Sequence, residues 1–254
     1  MKSNGDVAGL ARPWEMHPGA APVVVLVHGV GFGPGTLTQV ARALQDDFRV
    51  LVVTRRGYGE RSGLPPAADV ADHVDDLLEQ AATLTDGPVV VAGMSGGATV
   101  ALAAALTEPD RVSVAIAHEP AAGSLSPELR SLVSETLSES GGAGLLRMLA
   151  GERTWESLDR AGRAELDAAG SLVAADARAF LAFEPRLPAV PGFVSLVCSV
   201  GSLSAPLRHT VAARIAGATG APIEVLPNSG HLPQLDAPDA FAALIRKYAL
   251  VAVH

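Results

Sequence analysis

A serine set between glycines, and a histidine far downstream of it, are the residues of this chain best suited to chemistry. Gly93-Met94-Ser95-Gly96-Gly97 follows the apolar run Val89-Val90-Val91-Ala92 and precedes an Ala/Leu-rich stretch over 98–106. The run reads as a buried strand and the stretch as a packed helix, which puts Ser95 on a sharp strand-to-helix turn. Flanking glycines let strand and helix come close, and such a turn holds the serine in a strained conformation with its hydroxyl clear of the sheet. The helix N-terminus there favours a developing anion. A serine hydroxyl stays a weak nucleophile until a base lies within hydrogen-bonding reach. His231, in the polar loop Pro227-Asn228-Ser229-Gly230-His231, offers an imidazole that titrates near neutrality. An ordinary Gly/Ser turn has the same local pattern, so the surrounding elements decide.

Those elements alternate. Val23-Val24-Val25-Leu26-Val27 is a β-branched run of the kind buried in a parallel sheet, and it leads into the loop His28-Gly29-Val30-Gly31-Phe32-Gly33-Pro34-Gly35. That loop lacks the third glycine of a dinucleotide-binding fingerprint and has no Gly-Lys-Ser/Thr for a phosphate loop. It fits better as a backbone that approaches a substrate oxygen through the Val30 N–H. His28 reads as an imidazole bracing the loop, with lining of the substrate pocket, beside Gly29, as the alternative. A helix over 36–44 and a strand over 50–54 come next, then the turn Arg55-Arg56-Gly57-Tyr58-Gly59-Glu60. Glu60 reads as solvated or paired with an arginine. The spacing of Val70, Val74, Leu77, Ala81 and Leu84 predicts an amphipathic helix over 69–84, with His73 on its acidic, solvent-facing side. Residues 111–117 read as a strand ending in His118-Glu119-Pro120. The strand–helix rhythm then lapses over 121–188, where helix-like pieces cover 127–138, 144–150 and 160–183. It resumes with a strand over 193–200, a helix over 205–218, a strand over 222–226 and a helix over 238–250. Brief edge strands are expected over 7–10 and near Trp14. The domain reading is therefore a core of 1–120 and 189–254 with a helical insert of 121–188.

Composition narrows the classes. The 254 residues suit one α/β domain with an insert, and 48% apolar content is enough for a sizeable core. Only 4% are aromatic, which argues against a base-stacking surface, and a formal charge of −8 argues against nucleic acid or anionic membrane as a partner. The single cysteine, Cys198, lies in an apolar run and reads as core. No secretory h-region or membrane-length apolar run is visible, so a cytoplasmic protein is the expectation, as monomer or homodimer. No metal or cofactor motif is seen.

The ordered set of strand, His-Gly loop, Arg-Gly-Tyr-Gly turn, Gly-Met-Ser-Gly-Gly turn, helical insert and Ser-Gly-His before the last helix resembles the α/β-hydrolase superfamily across nearly the whole chain. The resemblance implies a mostly parallel sheet flanked by helices, with 121–188 as a lid. It implies Ser95 as nucleophile, His231 as general base, and the N–H groups of Val30 and Met94 as the oxyanion hole. One departure stands out. Most of the family carries an aspartate after the strand that ends the lid, but there is no carboxylate from Val190 until Glu224. Glu119, at the end of the strand after the serine's helix, is the replacement that a subset of the family suggests. Asp236 and Asp239 are rivals that read better as helix-start acids, and a site with no acid, its histidine oriented by Ser202 or Ser204, stays open. His118 either lines the pocket or is structural, and Trp155 and Phe180 are insert residues that could face substrate.

The function this implies is serine-dependent hydrolysis of an ester, lactone or thioester of a small to medium, largely apolar molecule through an acyl-enzyme, without cofactor. A cofactor-free lyase or cyclase using the Ser–His pair as acid and base is the alternative. A ligand-binding receptor on the same scaffold is a third, weaker reading.

Overall fold

The computed structural model describes residues 21–157, 160, 169–188 and 195–251. The edge strands expected over 7–10 and near Trp14, and part of the helix expected over 160–183, lie outside the described residues. The described chain forms six parallel strands: β1 (Val23–Val27), β2 (Arg49–Val53), β3 (Val89–Met94), β4 (Val112–His118), β5 (Leu196–Gly201) and β6 (Ile223–Leu226), in spatial order β2-β1-β3-β4-β5-β6. The helices are α1 (Thr38–Leu44), α2 (Val70–Ala81), α3 (Gly96–Thr107), α4 (Pro127–Ser157), α5 (Gly170–Ala182), α6 (Pro206–Thr219), α7 (Pro233–Asp236) and α8 (Pro238–Val251). Gly141 and Gly151 interrupt α4 with φ of 63° and 75°, so it is a broken stack of shorter pieces, as the glycines in the sequence suggest. No helix among the described residues is long and apolar enough to cross a membrane.

Strand side chains alternate between two apolar layers. Val25, Val27, Val91, Ala115 and Cys198 face one layer, with α2, α3 and α6; Val24, Leu26, Val90, Ala92 and Met94 face the other, with α1 and α8. Both faces are covered, which is why these strands read as unbroken apolar runs. Helix α2 starts where the sequence predicts, because the Asp69 carboxylate accepts from the N–H groups of Ala71 (2.9 Å) and Asp72 (3.2 Å). His73 departs from expectation. It is 1% exposed and faces inward, its ring stacked on Phe180 of α5. The helices inserted between β4 and β5 cover α2's inner edge and so bury a position that looks solvent-facing from α2 alone.

Helix α3 is apolar on every side, and its first turn lies directly on β1. A Cβ added to Gly97 would stand 2.1 Å from the Val27 carbonyl oxygen and 2.8 Å from that of His28, both backbone atoms that cannot swing aside. Gly97→Ala should therefore destabilise the fold by about 1–3 kcal/mol. The expected reading is a lower urea midpoint with an unchanged m-value.

Candidate active site

Parallel pairing sets the site's first coordinate. Met94 is opposite His118, and His118 is opposite Ser199, so β3 and β4 end at the same level of the sheet, while β5 runs two residues further, to Gly201. Ser95 and Glu119 are the next residues along, and each donates its N–H across the gap: Ser95 to the His118 carbonyl (2.9 Å) and Glu119 to that of Ser199 (3.0 Å). Ser95 has φ 53° and ψ −121°, a conformation that an L-residue adopts only under constraint. Glu119 is also left-handed, with φ 50°.

The Glu119 side chain is fully buried and both of its oxygens are engaged. Oε2 accepts from Nδ1 of His231 at 2.7 Å, and Oε1 accepts from the Gly201 N–H at 2.9 Å. Burial alone would raise this carboxyl's pKa, but the hydrogen bond and charge of His231, helped by His118 and Gly201, bring it well below the usual carboxylate range. Because a carboxylate only accepts, His231 must carry its proton on Nδ1. Nε2 of His231 is buried without a hydrogen-bond partner. Burial and then the Arg208 charge lower the imidazole's pKa below 6.5, against the opposing pull of Glu119. Asp236 acts elsewhere, accepting from the Gly230 N–H (3.0 Å), and Ser202 accepts from the Asn228 N–H (3.0 Å). Both hold the loop that carries His231. That loop lies tight on the end of β5, where a Cβ on Gly201 would stand 2.3 Å from the Ser229 carbonyl oxygen.

Ser95 opens onto a narrow cavity of about 30 Å³ walled by Val30, Leu129, Leu145, Phe180 and Arg208 among others. A wider one of about 260 Å³ adjoins it, with Glu119, His231, Leu203 and Arg208 in its wall. Leu149 and Arg208 belong to both. Phe180 reaches the serine's cavity as expected of an insert residue. Trp155 is not in either wall; its ring stacks with the Arg147 guanidinium at 5.8 Å. His118 does not line the cavity either. It is wholly buried, donating from Nε2 to the Gly230 carbonyl (3.2 Å) and accepting at Nδ1 from Ser199 (3.0 Å), and burial first of all holds its pKa down to about 4.

The loop after β1 sits against the serine: a Cβ on Gly29 would lie 3.4 Å from Cβ of Ser95. His28 is 0% exposed and braces this loop, donating from Nδ1 to the Gly29 carbonyl (2.9 Å) and accepting the Arg55 N–H at Nε2 (3.3 Å). Met94 stands before the turn. It is a β3 ladder residue, 0% exposed, with its side chain in the layer on the far side of the sheet. Its N–H precedes the turn. The N–H that follows the serine is that of Gly96, first residue of α3, which has no intrahelical partner four residues back. Gly96 also adjoins Val30, whose Cγ2 lies 3.0 Å from where a Gly96 Cβ would be.

A buried cluster with no signal in the local sequence locks the Val30 loop. Arg55, which the sequence places in a tight, charged turn, is 0% exposed. Its guanidinium pairs with Asp176 of α5 (2.9 Å), donates to the Gly29 carbonyl (2.9 Å) and contacts Nε2 of His73 (3.3 Å). The Tyr58 hydroxyl donates to Asp176 (2.8 Å) and accepts the Gly31 N–H (2.8 Å). The backbone on both sides of Val30 is thus tied down, while the Val30 N–H meets no acceptor among the described residues. Burial and then Arg55 push the His73 pKa down to about 2, so the ring next to this cation is neutral. Asp176→Asn leaves a buried guanidinium without counter-charge and should cost about 3–5 kcal/mol of stability, read by chemical denaturation.

Comparison with known proteins agrees with this architecture. A model described as "Alpha/beta hydrolase family" matches residues 24–244. The hydrolase YraK of Bacillus subtilis is 35% identical over 105 residues, covering 40% of this chain and 38% of that protein. The chain spans less than half the length of the curated relatives it matches. An esterase of Thermogutta terrifontis superposes with a TM-score of 0.70 at 26% identity, over 91% of this chain and 90% of that one. The enol-lactonase of Burkholderia xenovorans superposes with a TM-score of 0.64 at 18% identity, over 91% and 92%. With its sheet order, its strained serine turn and a family match that runs through both, the chain belongs to the alpha/beta hydrolase family.

Proposed function

We propose that the protein is a serine hydrolase that cleaves a carboxylic ester, lactone or thioester of a small molecule by way of an acyl-enzyme. The observation that carries this reading is the part-buried 2.7 Å hydrogen bond from His231 to Glu119, which fixes the proton on Nδ1 and leaves Nε2 as an unengaged lone pair. That is the tautomer a general base needs. In this reading His231 takes the proton of Ser95 as Oγ attacks the substrate carbonyl, and the imidazolium that forms is stabilised by Glu119. The carbonyl oxygen becomes an oxyanion between the N–H groups of Val30 and Gly96, at the positive end of α3. His231 then returns the proton to the leaving group and afterwards activates the water that frees Ser95. Helices α4 and α5 act as the lid over this chemistry. Names borne by relatives and neighbours, a hydrolase, an esterase and an enol-lactonase, support a hydrolytic reading.

Ser95→Ala should lower hydrolysis of a 4-nitrophenyl ester by on the order of 10⁴-fold or more and abolish labelling by a fluorophosphonate probe. Unchanged turnover in that variant would exclude the covalent route. Glu119→Gln should lower kcat by roughly 10²–10⁴-fold, because an amide no longer enforces the Nδ1–H tautomer or stabilises the imidazolium.

The pH profile follows from His231. Only the neutral imidazole is a base, and burial and Arg208 together disfavour the imidazolium. Activity should therefore fall on the acid side with a midpoint below 6.5 and stay level through neutrality. A midpoint above 6.5 in kcat/KM would contradict that sign.

A further inference from the structure

Arg208 stands at the third position of α6, and the whole residue is only 7% exposed. Its guanidinium carries a charge at any working pH. Among the described residues it has no hydrogen-bond acceptor. Glu119 Oε2 lies 3.9 Å from Nε, too far for a hydrogen bond, and that oxygen is already taken by His231 while Oε1 is taken by Gly201. The carboxylate is therefore satisfied without the arginine.

Arg55 shows how this fold treats a buried arginine that serves the structure. It is given a carboxylate at 2.9 Å and a carbonyl at 2.9 Å. Arg208 is given neither. Its charge also works against His231, since a cation beside an imidazole lowers its basicity. A nearly buried cation that lacks acceptors and weakens the base is retained at a cost, unless something else supplies the acceptors.

The place where they are missing is defined. Arg208 forms part of the wall of the narrow cavity that holds Ser95 and of the wider one that holds His231. Apart from Arg208 and Ser95, every wall residue of the narrow cavity is apolar: Val30, Leu129, Leu145 and Phe180 are representative. The guanidinium fork matches a planar carboxylate through two parallel N–H donors. Because one narrow cavity reaches from Ser95 to Arg208, a group bound at both spans only a few atoms.

We infer that Arg208 is a substrate-binding residue that selects acyl compounds bearing a carboxylate a few atoms from the scissile carbonyl, so that the substrate class is a monoester, lactone or thioester of a short dicarboxylic acid. This rests on the serine-hydrolase reading above and narrows its substrate from a small-molecule acyl compound to an anionic one, in place of the largely apolar substrate the sequence suggests. The apolar wall holds the chain between the two carbonyl carbons, and Arg208 holds the far end.

The test compares the 4-nitrophenyl monoesters of succinic, glutaric and adipic acids with the 4-nitrophenyl esters of the neutral acids of matching chain length. Wild-type enzyme should favour at least one diacid monoester over its neutral match by about 10-fold or more in kcat/KM, mainly through KM, as expected for a charge-assisted contact. Arg208→Gln should reduce that ratio by about 10- to 100-fold, and Arg208→Lys should recover part of it. Raised salt should lower the wild-type ratio less than the Gln variant does, because the contact is buried. As a readout apart from turnover, millimolar glutarate should raise the melting temperature of wild type and not that of Arg208→Gln. If wild type treats the matched esters alike, or if Arg208→Gln lowers both in equal proportion, the inference is overturned while the hydrolase reading stands. If Ser95 is not labelled by a fluorophosphonate and none of the esters is hydrolysed, the hydrolase reading itself fails, and the inference with it.

Discussion

Two backbone hydrogen bonds govern the site. Ser95 donates to the carbonyl of His118, and Glu119 donates to that of Ser199, at 2.9 and 3.0 Å. They extend the sheet ladder one residue beyond the strands, into the two turns where the side chains leave the sheet. A slip of one residue in either pairing would turn Ser95 or Glu119 to the opposite face. Register is secured from below, because Val90, Val91, Ala92 and their partners on β1 and β4 are buried on both faces and have no exposed alternative. The chemistry at the rim thus inherits its precision from packing in the middle of the sheet.

That precision carries local strain. Ser95, Glu119 and Asn228 are the non-glycine residues with positive φ among the described residues, at 53°, 50° and 54°. Each lies in one of the loops that bring a site residue to the rim: the turn of Ser95, the end of β4, and the loop leading to His231. Such conformations cost about 1–3 kcal/mol each and persist only where the surroundings over-determine them. The surroundings here are polar, and all but the Asp236 contact are buried or part-buried. Ser199 and the Gly230 carbonyl hold the His118 ring between them, Asp236 caps Gly230, and Gly201 binds Glu119. His118 is best understood as the post under the His231 loop. It touches the loop's backbone from below while Glu119 touches its imidazole from the side.

What the sequence makes legible follows the same division. Strands buried on both faces betray themselves as valine runs, and α2 and α8 show their faces by period, so the strands and most helices can be read. Ser95, His231 and Glu119 can be read as candidates because strand ends on one sheet edge converge by topology alone. Arg55, His73 and Asp176 cannot. An arginine in a Gly-rich turn and a histidine on the acidic side of α2 look solvent-exposed until α5 is laid over them, and nothing local in 169–188 announces where it docks. The resemblance is read onto the Met94 N–H, which precedes the turn, whereas Gly96, first residue of α3, carries the free helix-start N–H beside Ser95. Arg208 is invisible for a related reason: it shares its cavity walls with Leu149 and other insert residues, while its own segment, Ala205-Pro206-Leu207-Arg208, looks like any helix start.

The insert therefore does more than roof the cavity. Through Asp176 it neutralises Arg55, and Arg55 with Tyr58 then fixes the loop that offers the Val30 N–H. Through Phe180 it seals the start of α3, where a Gly96 side chain would have no room beside the ring. With residues 96–105 of α3 buried, the positive end of its dipole lies beside the apolar wall of the serine's cavity. A partial charge there acts at a lower effective dielectric than at a surface helix, so it stabilises an anion on the serine side more strongly. The same apolar wall leaves the Arg208 guanidinium without a protein acceptor and makes it a strong partner once an acceptor arrives. Desolvation by one set of helices thus sharpens both the dipole that would meet a transient negative charge and the cation that would meet a permanent one.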